Sequence, residues 1–455
     1  VVNGLPSADA LLAAGLSASR RDVVLRTLPQ LDEALRRTGA ATASRTLLVP
    51  GRVEVFGKHT DYAGGESLLC AVERGFVARV APRSDAVVRV IDIGRSATLE
   101  VPLTADQGPR PSGWANYVVT AVRRLASNFP EAVTGCDIAL RSDLPAASGL
   151  SSSSALIVLI AKAVIAVNAL DRTREWSTAI GSLEEEAAYL GTIENGADFK
   201  GLAGVTGVGT FGGSEDHAAI LGARPHALLH VAFAPLRRRG VLMLPADHVF
   251  AIAVSGVVAD KTGTARERYN AVSGRARQLV VRWNAGTGAH CHTLAEVLGS
   301  APDAAAQLRA LLQDQPDTRF PTDDLMDRLA HFEAEWRTHL PEAARALAAR
   351  DVAAFGAAAD ASQASAERWL RNQVPETILL QRLAREQGAS AASAFGAGFG
   401  GAVWALVPRA IATPFASRWL ASYRATALGR RQRRATAFLS EAAPALLQFG
   451  PSTPS

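Results

Sequence analysis

Pro145-Ala146-Ala147-Ser148-Gly149-Leu150-Ser151-Ser152-Ser153-Ser154-Ala155 runs directly into the longest apolar stretch of the chain, Ala155 to Leu170. That stretch has 16 residues, interrupted by Lys162 and Asn168. It falls short of the roughly 20 residues a membrane span needs, so it predicts a buried helix. The first turn of any helix leaves backbone N–H groups without partners, and one serine suffices to cap them. Four consecutive serines exceed that need. Free N–H groups beside several hydroxyls make a phosphate cradle, and a serine hydroxyl can bind the magnesium that accompanies a nucleotide. From the pattern alone, a helix cap and an anion site both stand.

Upstream lies Gly51-Arg52-Val53-Glu54-Val55-Phe56-Gly57-Lys58-His59-Thr60-Asp61-Tyr62. Arg52 and Glu54 alternate along an apolar strand, and His59, Asp61 and Tyr62 share a tight turn, a mixture suited to hydrogen bonding a polyhydroxylated ligand. Surface charge is the competing reading. Leu47–Val55 and Leu68–Val80 read as strands either side of the turn at Asp61–Gly65. Helical spacing predicts one or two helices over residues 10–44, and others at Trp114–Asn128 and Thr178–Ile193. Val87–Ile93, Thr98–Val101, Cys136–Ser142 and Val249–Val254 read as strands. Residues 196–214 hold seven glycines in nineteen positions, which predicts irregular backbone, and so long a loop is usually functional. Residues 236–248 read as a basic loop, 262–283 and most of 301–388 as helical, and Gly396–Gly401 as a second glycine loop before the strand-like Ala402–Val407. A domain division is placed near 240, giving units 1–240 and 241–455.

The 455 residues are 48 % hydrophobic and 20 % charged, a globular balance that excludes wholesale disorder. Cys70, Cys136 and Cys291 are too few and scattered for a disulfide framework, which suggests a reducing compartment. Asp9, Arg20, Arg21 and Asp22 interrupt the N-terminal region, so no signal peptide is expected and a cytoplasmic location is. Net charge is +5, but the clusters Arg237–Arg239 and Arg430–Arg434 are not interleaved with aromatics; they read as solvated faces rather than a nucleic-acid surface. Gly57-Lys58 fails as a phosphate-binding Walker loop, because position 52 is arginine and 59 histidine. Gly207/Gly209/Gly212 and Gly396/Gly398/Gly401 match a dinucleotide spacing but lack the strand-before, helix-after context. His290-Cys291-His292 lacks the further ligands a tetrahedral metal set needs and reads as a loop feature.

Gly51–Gly65 resembles the galactokinase signature, Gly-Arg-x-x-x-x-Gly-Glu-His-Thr-Asp-Tyr-x-x-Gly. Pro145–Ala155 resembles the phosphate loop of the GHMP kinases (galactose, homoserine, mevalonate and phosphomevalonate kinases), and Ser393–Leu406 their third, glycine-rich motif. Trp114–Val118, Glu194-Asn195, Gly213–His217 and Tyr269-Asn270 are smaller echoes in the same order, so the likeness runs from about residue 45 to 410. It implies a mixed α+β and α/β two-domain GHMP kinase fold. The N-terminal domain would be like the second domain of ribosomal protein S5 and the C-terminal one ferredoxin-like, with the site in the cleft between them.

The resemblance implies an ATP- and Mg²⁺-dependent kinase acting on the anomeric hydroxyl of galactose or a close relative. Asp216 would accept or orient the proton of that hydroxyl. Arg52 would keep Asp216 ionised, since a cation about 4 Å away lowers a carboxylate pKa by roughly one to three units. Gly149, Leu150, Ser151, Ser152 and Ser153 would wrap the nucleotide phosphates, Ser153 and Glu194 would hold Mg²⁺, and Gly398, Gly400 and Gly401 would close over the site. Lys58, His59, Asp61, Tyr62 and Tyr269 would contact the sugar. The expected partner is a small sugar, with no nucleic acid or membrane, on a monomer or weak dimer.

Two departures stand out. Lys58 replaces the signature glutamate, which bonds the hydroxymethyl end of the sugar; lysine only donates. Either the substrate presents an acceptor there, as a uronic acid does, or Lys58 pairs with Glu54, Asp61 or Glu66 and touches no sugar. The stretch from Glu194 to Asp216 is also roughly ten residues longer than in the family, as surface loops tolerate. It either reshapes the sugar pocket or is a passive surface feature, and it leaves Glu215 as an alternative to Asp216. The rival functions are a uronic acid or L-arabinose kinase and a non-catalytic regulator that binds sugar and ATP.

Overall fold

Two long apolar strands organise the first half of the protein. In the computed structural model, Arg45–Phe56 pairs antiparallel with Glu66–Pro82. The register runs evenly from Arg45 opposite Val80 to Pro50 opposite Gly75, then shifts between Pro50 and Arg52 and again between Glu54 and Phe56. Such bulges bend a strand and re-aim its side chains. The structure describes residues 2–3, 5–40, 43, 45–106, 108, 111–146, 148–258, 263–314 and 317–450; of the stretches singled out above, residues 41, 42, 44, 147 and 262 lie outside these.

The sheet built on this pair has ten strands. Its main path runs Val2–Asn3, Leu447–Gly450, Arg45–Phe56, Glu66–Pro82, Cys136–Ser142, Val87–Asp92, Ala97–Pro102. The helix Ser152–Asn168 is buried along nearly its whole length from Ser154 to Ile165, and it packs with helix Trp114–Asn128 on the sheet. Among the described residues no helix is long and apolar enough to cross a membrane.

A second sheet of four antiparallel strands, in the order Ala391–Ala394, Ala402–Pro408, His248–Val254, Thr436–Ser440, carries the C-terminal part. Helices between Gly263 and Ala334 form a further cluster that packs against Tyr62 and Ala63 of the turn after the first long strand.

Three expectations change. The basic stretch 236–248 is not a loop: Arg237–Met243 is a strand paired with Ala227–Ala232. Its exposed arginines suit an edge strand, where charge discourages pairing with another chain. A division near 240 therefore falls inside a strand of the first sheet. The second sheet starts at His248, and Ala442–Gly450 returns to pair with the first. Thr178–Ile193 is two helices, Arg174–Ala179 and Leu183–Asn195, because Ser182 caps the second by accepting from the Glu185 N–H.

Candidate active site

Arg52 emerges at the bulge and ties three segments together. Its Nε and Nη2 donate to Asp216 Oδ1 at 2.7 and 2.6 Å, and Nη1 donates to the Gly149 carbonyl at 2.6 Å. Its backbone N–H donates to the Leu150 carbonyl at 3.2 Å. Residue 51 has to be glycine for this approach, since a Cβ there would sit 2.7 Å from the Leu150 oxygen. Burial works against the Arg52 charge, but Asp216, Glu215 and Glu54 outweigh it and raise its pKa further.

The serine loop answers the question its sequence leaves open. Gly149 and Ser151 both have positive φ, and Ser151 precedes the first helical residue without capping the helix. Among the described residues its buried Oγ has no hydrogen-bond partner. A serine turned away from the cap leaves the first-turn N–H groups for a ligand, as an anion cradle requires. Ser154, not the expected Ser153, faces the acidic side: its Oγ lies 2.8 Å from both Glu194 Oε2 and Asp216 Oδ2. Successive helical residues point about 100° apart, so a one-residue error selects another face. One hydroxyl proton cannot serve two carboxylates, and this donor-poor oxygen cluster fits a hard cation such as Mg²⁺.

The turn after Phe56 supplies the opposite wall. His59 has φ of 57°, and its Nδ1 and Nε2 lie 2.7 Å from the Tyr62 hydroxyl and 3.2 Å from the Ala397 carbonyl. The Ala397 carbonyl calls for a proton on Nε2, and the Asn372 amide nitrogen stands 3.3 Å from the same atom. Asp61 Oδ2 accepts from the Gly213 N–H at 2.9 Å, joining the turn to the segment that opens helix Glu215–Gly222. Tyr269 packs against the His59 ring at 5.5 Å. Arg52, Glu54, His59, Asp61, Tyr62, Glu194, Thr210, Glu215, Asp216, Tyr269 and Gly396 line one shared cavity.

Lys58 is absent from that cavity. Its side chain turns into the C-terminal helices, where Nζ donates to Ser362 Oγ at 2.6 Å and Ser362 donates to Glu335 Oε2 at 2.7 Å. Glu335 also accepts from the Gly57 and Lys58 N–H groups at 2.8 and 3.2 Å. Burial alone would raise the Glu335 pKa; the Lys58 charge and the Gly57 N–H outweigh it and hold the carboxyl below its ordinary range. Lys58 is thus joined through Ser362 to Glu335, a residue 277 positions away that no nearby pattern reveals.

Other positions also move. Gly396 and Ala397 line the cavity, and a Cβ on Gly396 would meet the Gly149 oxygen at 3.0 Å. Gly398 and Gly400 instead press on Asn372 and Val257, and Gly401 bonds Val257 and Ser255. They shape the loop that holds Gly396 in place. The long glycine-rich stretch contributes Thr210, Gly212 and Gly213 to the cavity, while Asp198 is exposed. Among the described residues no cluster of three His, Cys, Asp or Glu residues is placed to hold a metal ion.

Glu54 and Glu215 are buried side by side with their carboxyls hydrogen-bonded. Burial raises both and outweighs the nearby cations: Glu54 is pushed up to about 7, and Glu215, which also feels the Glu54 charge, stands well above the carboxylate range. The native fold therefore holds a proton that the unfolded chain releases near its ordinary value. The stability this contributes is complete below about 4.5 and disappears as pH rises through the native value. Glu54→Gln, which needs no such proton, is expected to gain a few kcal/mol on the natural chain between pH 5 and 8, at about 1.4 kcal/mol per pKa unit. Thermal melting of both proteins across that range checks it; a constant gap in midpoint would show that Glu54 is ionised throughout.

Residues 37–82 match the galactokinase galactose-binding signature, 116–198 the GHMP kinases N terminal domain and 343–425 the GHMP kinases C terminal domain. A galactokinase of Roseiflexus sp. (strain RS-1) is 30% identical over 371 residues, 80% of this chain and 84% of the relative. A galactokinase of Actinobacillus pleuropneumoniae serotype 5b (strain L20) is 28% identical over 374 residues, 81% and 86% of the two chains. Among solved structures, Lactococcus lactis galactokinase complexed with galactose superposes with a TM-score of 0.75 at 22% identity, over 92% of this chain and 99% of that one. L. major mevalonate kinase superposes with 0.52 at 15% identity, over 87% and 95%. The matched segments include both the serine helix and the turn that face each other across the cavity, and with the Roseiflexus relative they place this chain in the galactokinase family of the GHMP kinases.

Proposed function

We propose that this sugar kinase transfers the γ-phosphoryl group of ATP to the anomeric hydroxyl of galactose or a close relative, with Mg²⁺ as the metal. The observation that carries the reading is Asp216. One of its oxygens is gripped by Arg52, and the other faces Ser154 at the start of the nucleotide helix, in a cavity whose far wall is the turn Gly57–Tyr62. The galactokinase names and the galactose-binding signature support the sugar class.

Phosphoryl transfer needs positioning and charge stabilisation more than strong base catalysis. Asp216 orients the attacking hydroxyl and receives its proton as the bond to phosphorus forms. Arg52 stays cationic, holds that carboxylate, and balances charge growing on the transferred group. Glu215 does not suit the base role: it is buried, accepts from Ser67, and lies farther from Arg52 than Asp216 does. Ser154 and Glu194 would hold Mg²⁺, which offsets the charge of the nucleotide phosphates when bound. With Lys58 turned away and Arg52 paired, the cavity offers no free cation among the described residues for a uronic acid, so we favour a neutral sugar.

Glu194→Gln is expected to raise the Mg²⁺ concentration for half-maximal rate by about 10–100-fold, as loss of a metal-orienting group typically does. Ser154→Ala should do so more strongly than Ser153→Ala. Titrating Mg²⁺ at fixed ATP and galactose while following ADP release tests both; equal effects at 153 and 154 would remove Ser154 from the metal site. The reading as a whole is tested by offering a pool of neutral hexoses, pentoses and uronic acids with ATP and identifying which is phosphorylated.

A further inference from the structure

The galactokinase signature puts its sugar-reading carboxylate at the position Lys58 occupies, and here that side chain is committed to Ser362 and Glu335. The cavity is not short of a replacement. Glu54 lies on the same strand as Arg52, two residues on, so both face the site, while Val53 and Val55 enter the hydrophobic core behind it. Glu54 is 3% exposed, lines the cavity, and among the described residues its Oε1 has no hydrogen-bond partner.

The other acids around the site, and His59, are engaged. Glu215 accepts from Ser67 and also contacts Glu54, Asp61 accepts from Gly213, His59 bonds Tyr62 and Ala397, and Asp216 is held by Arg52. An unpaired buried carboxyl oxygen costs free energy, and proteins retain such a group where a ligand completes it. A sugar is a dense source of hydroxyl donors.

We infer that Glu54 is a specificity-determining residue: its carboxyl oxygen accepts a hydrogen bond from a non-anomeric sugar hydroxyl, taking over in this chain what the glutamate at position 58 does in the signature. The assignment rests on the sugar-kinase reading above. It moves the acceptor four residues back, from the turn onto the strand, while Lys58 and Glu335 secure the turn that the original acceptor occupied.

The test is a cycle between protein and substrate. The natural chain, Glu54→Ala and Glu54→Gln are each assayed with galactose and with its 2-deoxy, 3-deoxy, 4-deoxy and 6-deoxy forms. In the natural chain, removing the hydroxyl that meets Glu54 should lower kcat/KM by about 10–100-fold, as leaving a buried acceptor unsatisfied does. In Glu54→Ala the same removal should cost less than about threefold, while the other deoxy sugars keep their natural penalties. A misplaced active site would instead lower all five sugars together. Calorimetric binding of the same sugars yields the same ratios if turnover is slow, and Glu54→Gln serves if the alanine variant does not fold. Unchanged discrimination in both variants overturns the assignment alone. A natural chain that binds and phosphorylates none of these sugars overturns the sugar-kinase reading and the assignment together.

Discussion

Asp216→Asn is expected to lower kcat by about 10³–10⁴-fold while nucleotide binding and folding stay close to those of the natural chain. The carboxylate does two things that asparagine cannot. Its Oδ1 accepts from both Nε and Nη2 of Arg52 at 2.7 and 2.6 Å, and its Oδ2 lies 2.8 Å from Ser154. An amide can still accept from Arg52 through its oxygen and donate its NH₂ to Ser154 Oγ, so the geometry survives, but the negative charge beside Arg52 is lost. It also cannot take the proton of the attacking hydroxyl, a contribution of roughly 10²–10⁴ where a positioned side chain provides it. Loss of charge beside Arg52 adds to this, since the nearest remaining acid, Glu215, is 3.6 Å away and burial works against its charge. ADP release with saturating galactose, alongside binding of an ATP analogue, checks the expectation. A fully active Asp216→Asn with an inactive Glu215→Gln would move the role one residue along the chain.

Lys58→Glu is expected to be the most destabilising single change discussed. It would place two carboxylates around Ser362, with Glu335 buried and already accepting two backbone N–H groups. Removing one partner of a buried pair typically costs about 3–5 kcal/mol, because the other charge is left uncompensated, and reversal adds repulsion. The chain should lose soluble yield and melt well below the natural protein. Lys58→Met should show the smaller, uncompensated-charge loss. Lys58→Met combined with Glu335→Gln should recover much of it, because neither charge then needs a partner. Melting curves of the three variants decide. A well-folded Lys58→Glu with altered sugar preference would return position 58 to the sugar pocket.

The same pair shows why one substitution reads differently in sequence and in space. A lysine in place of a hydrogen-bond acceptor invites an anionic substrate, and the nearby acids Glu54, Asp61 and Glu66 invite local pairing. Neither describes it. Gly57 has φ of +98° and His59 of 57°, so the turn swings Lys58 away from its neighbours towards helices almost 280 residues later. Glu66 meanwhile pairs with His230 at 2.6 Å and lies near Arg239 on the basic strand.

Ser154 carries the same lesson at finer scale. Four serines in a row announce a phosphate-binding helix start, but a motif counted along the chain does not show where the helix begins. Ser151 adopts left-handed backbone and stands outside the helix, which brings Ser154 round to Glu194 and Asp216.

The order of the motifs, the apolar strands Arg45–Phe56 and Glu66–Pro82, the buried serine helix and the Arg52–Asp216 couple were legible in the amino acids alone, because periodicity and family spacing act over short lengths of chain. Which hydroxyl meets the acids, where Lys58 points, that Gly396 rather than Gly398 lines the cavity, and that Glu54 holds an unsatisfied oxygen there depended on packing between segments hundreds of residues apart. Side-chain direction in a turn is set by a few backbone angles and by what waits on the far side, and one residue's rotation exchanges the cavity for the core.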